Sequence, residues 1–343
     1  MKIATVAGYW GSGPPADGAG LFAAADRLRL DQIWTAEAWG SDAWTPLAWW
    51  GSRTSHVHLG TAVSQLSARP PATLAMTAMT MDHLTRGRVI IGVGTSNQQV
   101  VEGWYGQPYP RPLERTREYI DILRAVIARR EPVTYDGRHY QLPYPGGTSL
   151  GKPLRSILHP YRPEIPVHLG AEGPKNVALA AEIADGWNTI FFSPSMSDFY
   201  AGALAEGFAR PGARHTSATF DVVGGPMRVI VDDDLERAAD LLRPSLALYI
   251  GGMGARGLNF HHEVFARMGY EAQARIIQDR YLAGDKPGAI AAVPTRLVED
   301  VALIGSWAKI ADEIQRWRET VLTTFTVSTD LHHLDRVVAL LRG

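Results

Sequence analysis

The stretch Gln32-Ile33-Trp34-Thr35-Ala36-Glu37-Ala38-Trp39-Gly40-Ser41-Asp42-Ala43-Trp44-Thr45-Pro46-Leu47-Ala48-Trp49-Trp50 contains one complete strand-to-helix unit. Gln32 to Thr35 is short and mostly apolar or β-branched, which suits a strand. Thr45-Pro46 then reads as helix N-cap and first helical residue, since proline lacks an N–H that the first turn would leave unpaired anyway. Between strand and helix lie Glu37, Trp39 and Trp44. The unit recurs on both sides. Upstream, Ile3 to Ala7 is a strand, and Leu21, Ala24, Ala25 and Leu28 repeat at helical spacing. Downstream, Val57 to Val63 is followed by a helix over Pro71 to Leu84, and Arg88 to Val93 by an amphipathic helix over Leu113 to Arg129.

Tyr135-Asp136-Gly137-Arg138 then carries the Asp-Gly signal of a tight hairpin, and a Pro- and Gly-rich stretch runs on to Pro166. Alternation resumes with strands over 167–169 and 186–191 and helices over 174–184 and 199–208. Met227 to Val231 reads as strand seven, Leu235 to about Ile304 as largely helical, and Thr323 to Val327 as strand eight between helices over 308–320 and 334–341. Alternation alone also suits a doubly wound sheet. What separates the two is that the strand ends carry Gly8-Tyr9-Trp10, Glu37-Ala38-Trp39, Ser64-Gln65, Gly94-Thr95-Ser96-Asn97, Gly170-Ala171-Glu172-Gly173 and Ser328-Thr329, polar, aromatic or glycine residues that a barrel gathers at one mouth. The expectation is an α/β fold, a (β/α)8 TIM barrel formed as a single domain over 1–343, with insertions at about 130–165 and 240–300.

Composition narrows the function. The 343 residues are 45% hydrophobic and 20% charged, with 34 basic against 35 acidic side chains. No cluster of Lys and Arg offers counterion-release binding to nucleic acid or attraction to anionic lipid, so neither partner is expected. The absence of Cys excludes disulfides, thiolate nucleophiles and Cys-ligated metal. The apolar run after Lys2 is too short for a signal-peptide core, so a cytoplasmic protein with a small-molecule substrate is expected.

Several constellations carry candidate chemistry. Gly170-Ala171-Glu172-Gly173-Pro174 leaves a strand and opens a helix, so its free amides, with Lys175 beside them, suit an anion such as phosphate; an ordinary strand-to-helix turn needs the same glycines. Gly92-Val93-Gly94-Thr95-Ser96-Asn97 lacks the third glycine of a nucleotide fingerprint. Gly252-Met253-Gly254-Ala255-Arg256-Gly257 has all three, but helix-like sequence follows where a second strand should, which favours a flexible loop over the mouth. Glu37 at the end of strand two is a candidate base or ligand for a ring N–H, or else a carboxylate satisfied by a nearby amide or arginine. The histidines His56, His58, His261, His262, His332 and His333 show no H-E-x-x-H spacing, and no metal is expected. No G-x-S-x-G elbow is present.

The run Trp34 to Ala43, Leu59-Gly60-Thr61-Ala62-Val63, Asp82-His83-Leu84-Thr85-Arg86-Gly87-Arg88 and Leu169 to Pro174 resemble the luciferase-like monooxygenase superfamily. Within it, Gln99 to Gly106 and Tyr249-Ile250-Gly251-Gly252-Met253-Gly254 are similar to an actinobacterial branch of F420-dependent oxidoreductases. The resemblance implies a deazaflavin, coenzyme F420, at the C-terminal mouth, with FMN as the alternative cofactor, and a homodimer. It places the ring against strand three, where family members often carry a non-prolyl cis peptide; the matching bond joins Ala62 and Val63. It places the cofactor phosphate on Glu172, Gly173, Lys175 and Asn176. Gln65, Thr95 and Ser96 join Glu37 as expected cofactor contacts, and Glu37, Trp39 and Asn97 are the expected catalytic residues. The sugar-phosphate dehydrogenases of the superfamily have a histidine and a glutamate where this chain has Ala38 and Asn97, so their mechanism is not expected here. The expected function is hydride transfer between the deazaflavin C5 and a small organic substrate, with Glu37, Ser41, Tyr9 or Tyr105 as proton donor. The alternatives are an FMN-dependent monooxygenase and a non-catalytic flavin or deazaflavin binder on the same barrel.

Overall fold

A computed structural model describes residues 1–148 and 150–343. Eight strands run in parallel: β1 (Lys2–Gly8), β2 (Gln32–Thr35), β3 (His58–Thr61), β4 (Val89–Gly94), β5 (Val167–Gly170), β6 (Gly186–Asn188), β7 (Asp221–Gly224) and β8 (Thr324–Val327). Each pairs with the next, and β8 pairs back onto β1 through Lys2↔Thr324 to Thr5↔Val327, so the barrel is closed. Helices on the outside cover the strands with a continuous apolar layer. Prolines open several of them, at Pro71, Pro112 and Pro174, where the missing N–H costs nothing.

Side-chain size fills the barrel interior. Trp34 meets Ala4, Ile90 and Val223 there, and Gly60 beside it has no alternative, because a Cβ would lie 2.3 Å from the indole. His168 packs against Trp34 with ring centroids 5.3 Å apart, and Gly186 clears space for its imidazole. Burial holds the His168 imidazole below its ordinary pKa.

Strand seven differs from expectation. Val229–Val231 lies outside the barrel, paired in parallel with Leu303–Gly305, and the barrel strand is Asp221–Gly224. An aspartate at the start of an apolar run reads as loop. Here its carboxylate accepts hydrogen bonds from Gln32 Nε2 at 2.7 Å, Thr324 Oγ1 at 2.6 Å and Thr323 Oγ1 at 2.8 Å, so its burial is compensated. The pair Val229–Val231 and Leu303–Gly305 forms the neck of the second insertion. Between these strands short helices from Leu235–Asp240 to Thr295–Val301 pack around a second apolar cluster that includes Phe191 of the barrel. Gly252, the first glycine of the fingerprint-like run, ends a helix packed on Tyr281, whose ring a Cβ would meet at 2.4 Å. The first insertion begins with the expected hairpin, Tyr135↔Leu142 and Asp136↔Gln141. Capping also moves by a few residues: the second helix is Trp44–Gly51, and Asp42, not Thr45, accepts the amides of Trp44 and Thr45. Among the described residues no helix is long and apolar enough to cross a membrane.

Asp26 ties the first helix to the chain entering β3, accepting the amides of Ser55, His56 and Val57 and the Ser55 hydroxyl. Burial alone would raise this carboxyl, but the backbone amides outweigh it and hold the pKa near about 2, below 3.8. A depressed carboxyl contributes stability that is present above its unfolded pKa and lost as pH falls through the folded one. Asp26→Asn is therefore expected to lower the urea midpoint at pH 7 and to approach the wild type between pH 4 and 2. A difference that stays constant across that range contradicts the assignment.

Candidate functional site at the barrel mouth

Beyond the C-terminal ends of the strands, β3 stops at Thr61 and the Ala62–Val63 peptide bond is cis, as the family resemblance implied. Pairing resumes at once, Ser64↔Val93 and Gln65↔Gly94. The neighbouring strands are cut back to fit. A Cβ at Gly94 would lie 2.6 Å from Val63 Cγ2, one at Gly170 2.7 Å from Val63 Cγ1, and one at Gly92 only 1.7 Å from the Thr61 carbonyl oxygen. The Gly92-Val93-Gly94 doublet therefore serves close approach to the end of β3, not a nucleotide turn. The result is a ledge at Val63, free of large side chains on its β4 and β5 flanks.

Glu37 takes the second of its two expected readings. Its side chain is 3% exposed, and Arg69 Nη1 donates to both oxygens at 2.8 and 2.9 Å. The amides of Gln65 and Ala43 and the Ser64 hydroxyl donate as well, at 2.7, 3.1 and 3.3 Å. Five contacts to two oxygens leave no spare capacity for proton transfer, which revises the expected role from base to brace. The brace ties the β2 loop to the segment after the ledge. The Asn97 Oδ1 caps the helix Gln98–Gly103 by accepting the Val100 amide at 2.9 Å, so only its Nδ2 is left for the expected catalytic role. Trp39 stands on the loop after β2, 45% exposed.

The other expected contacts surround the ledge. Gln65 donates to the carbonyls of Glu37 and Ala38, leaving its Oε1 buried without a partner. Thr95 is half-buried after β4, and Ser96 beside it adopts a φ of 58° with its carbonyl accepting from Tyr109. Tyr105 donates weakly to the Ala38 carbonyl at 3.4 Å, and burial raises its hydroxyl pKa.

In the turn after β5, Gly173 caps the helix Pro174–Ile183 without any side-chain cap, and a Cβ built on it meets nothing within 4 Å. Exposed Lys175 and half-buried Asn176 follow. Among the described residues two buried polar atoms here lack partners, Asn176 Oδ1 and the Nε of Arg267 from the second insertion, whose Nη2 reaches the Glu172 carbonyl at 3.5 Å. An open helix start, an unpaired guanidinium N–H and an amide that can turn its Nδ2 outward together fit a phosphate group. The Glu172 side chain is not aimed at such a ligand in isolation: His261 Nδ1 lies 2.8 Å from its Oε1.

Arg69 and Arg267 carry no signal in the sequence, and His261 and Tyr249, though they stand in the patterns above, have no site role assigned by them. Tyr249 reaches back over the mouth to Tyr9, with the hydroxyls 2.9 Å apart, and burial pushes its phenol well above the usual value. Arg69 directly precedes the Pro70-Pro71 helix start, a placement that signals a cap and not a site. His261 and Arg267 lie in the second insertion, and no local pattern announces a partner 89 or 95 residues away.

Comparisons with known proteins bear on the fold and the family. A Mycobacterium tuberculosis protein with the provisional name coenzyme F420-dependent oxidoreductase is 51% identical over 330 residues, covering 96% of this chain and 95% of its own length. Among solved structures, the coenzyme F420-dependent tetrahydromethanopterin reductase of Methanopyrus kandleri superposes with a TM-score of 0.73 at 20% identity, covering 95% of this chain and 93% of its own. An F420-dependent secondary alcohol dehydrogenase superposes with a TM-score of 0.77 at 18% identity, covering 100% and 99%. These two show the shared fold. The family profile described as luciferase-like monooxygenase matches residues 4–324, and the chain belongs to that family.

Proposed function

We propose that this chain is an F420-dependent oxidoreductase that moves a hydride between the deazaflavin C5 and a small organic substrate. The observation that carries the reading is the Val63 ledge, flanked by glycines at 94 and 170, with an uncapped helix start at Gly173 in the turn that follows Gly170, a floor for a planar ring with an anion seat at the same end of the barrel. The 51% identical relative supports F420 as the ring. Val63, Gln65, Thr95 and Ser96 would border the ring, and Gly173, Lys175, Asn176 and Arg267 would hold the phosphate. Bound F420 supplies a two-electron hydride carrier; the chain supplies the platform, orientation and proton management.

Glu37 and Arg69 act here by fixing the loop that walls the ring. Gln65 is oriented by the Glu37 and Ala38 carbonyls and carries an unpartnered Oε1, a group suited to accept from a ring N–H.

The test is Gly173→Asp. The backbone there has φ −78° and open space, so a side chain is tolerated and the fold should stand. A carboxylate at the phosphate seat is expected to weaken F420 binding by at least about tenfold, or 1.4 kcal/mol, with unfolding unchanged. Unaltered affinity in the folded variant refutes the placement. Loss of stability without a change in affinity assigns the glycine to the turn alone.

A further inference from the structure

Two groups at the strand ends are engaged, Glu37 by Arg69 and three further donors and the Asn97 Oδ1 by its helix cap, while Tyr9 and Tyr249 share one hydrogen bond between their hydroxyls. One pair at the mouth is built differently. Glu172, in the turn after β5, faces His261 on the helix Phe260–Phe265 of the second insertion, with Nδ1 at 2.8 and 3.0 Å from the two carboxylate oxygens. The residues are 7% and 6% exposed. Tyr249 and Phe191 clamp the imidazole edge-on at centroid distances of 4.9 and 5.5 Å. Among the described residues Nε2 has no hydrogen-bond partner, and it is not among the atoms sealed from solvent.

We propose that His261 is the proton donor and acceptor of the hydride-transfer reaction, with Glu172 as the positioning residue that fixes its ring. The inference rests on the F420 reading above. With a carbonyl acceptor and reduced F420 as the two-electron donor, the C5–H bond breaks and a C–H bond forms at the acceptor carbon. The C=O π pair moves to oxygen, and that oxygen takes the proton from Nε2. The acceptor is reduced by two electrons and the deazaflavin oxidised by two; solvent reprotonates the imidazole and takes up the proton shed by the deazaflavin ring. In the neutral imidazole, the Nδ1–H bond to Glu172 leaves the lone pair on Nε2, so the reverse reaction finds its base at the same atom. The other titratable and charged groups around the pair are Tyr249, Tyr200 and Arg267, with His262 and Glu263 on the same helix. The second insertion thus supplies the acid that positions 38 and 97 lack.

The experiment uses the full chain loaded with reduced F420 and a simple ketone, acetone, as the hydride acceptor, in single turnovers from pH 5 to 9, for wild type, His261→Gln and Glu172→Gln. Alongside it, imidazole nitrogen NMR follows the histidines of the same proteins without acceptor, and tryptophan quenching follows F420 binding. His261→Gln is expected to slow hydride transfer by about 100-fold and to abolish its fall with rising pH, while F420 affinity changes less than about threefold. NMR is expected to show a proton on His261 Nδ1, with its signal altered in Glu172→Gln. A wild-type pH profile retained in His261→Gln overturns the proposal while leaving the F420 reading intact. So does a neutral His261 ring that carries its proton on Nε2 and not on Nδ1, whatever the activity. Failure of the wild type to bind F420 or oxidise its reduced form overturns the F420 reading, and with it this step.

Discussion

Arg69→Met is expected to cost about 3 to 5 kcal/mol of unfolding free energy, a large part of the stability of a domain held by about 5 to 15. The argument is electrostatic. Glu37 is nearly fully buried, and among the described residues Arg69 supplies its only guanidinium, through two bonds under 3 Å. Methionine keeps most of the side-chain volume but leaves a buried carboxylate supported only by two amides and a hydroxyl. Removing both charges, in Arg69→Met with Glu37→Gln, is expected to recover a substantial share, because the penalty comes from the unpaired charge and not from the loss of attraction. Urea unfolding of both single variants and the double variant measures this coupling. A loss below about 1 kcal/mol in Arg69→Met places the pair with weak surface bridges and removes the brace from the account.

Gly92→Ala is expected to lose about 3 kcal/mol and to weaken cofactor binding more than about tenfold. The added Cβ falls 1.7 Å from the Thr61 carbonyl oxygen, and a backbone atom in a closed barrel cannot rotate away as a side chain can. Gly92 also exchanges two hydrogen bonds with the Thr61 hydroxyl, its amide donating at 3.0 Å and its carbonyl accepting at 2.7 Å. Relief must therefore displace the end of β3 and, with it, the Val63 ledge. Gly94→Ala provides the comparison. Its Cβ meets the Val63 side chain at 2.6 Å, so a smaller loss of stability with a comparable loss of binding is expected. Equal stability of Gly92→Ala and wild type would mean that β4 and the ledge are not coupled.

Much of this architecture is legible in the chain because local patterns and tertiary demands coincide. The strand-helix alternation, the prolines at 71 and 174 and the Asp136-Gly137 hairpin are satisfied by short-range chemistry, and the structure places elements there within a few residues. Strand seven is not legible, because Asp221 is intelligible only with Thr324 of β8, Thr323 just before it and Gln32 from β2 around it. The site divides in the same way. Gly173 and the Ala62–Val63 bond follow from position on the barrel and from family resemblance. The choice between two readings of Glu37 depends on Arg69, which has no sequence signal, and the partner of Glu172 lies in an insertion whose helices carry no strand-like register to anchor them. Gly92 and Gly94 look like a fragment of a phosphate motif because close backbone approach requires glycine whatever approaches; here it is β3 and Val63.

The most direct test of the central claim is a pair of tryptophan-quenching titrations of the unmodified protein, one with F420 and one with FMN, in the same buffer and salt. A mouth built around a deazaflavin predicts a Kd for F420 at least about tenfold below that for FMN. Micromolar or tighter FMN binding with no detectable F420 binding would contradict the account.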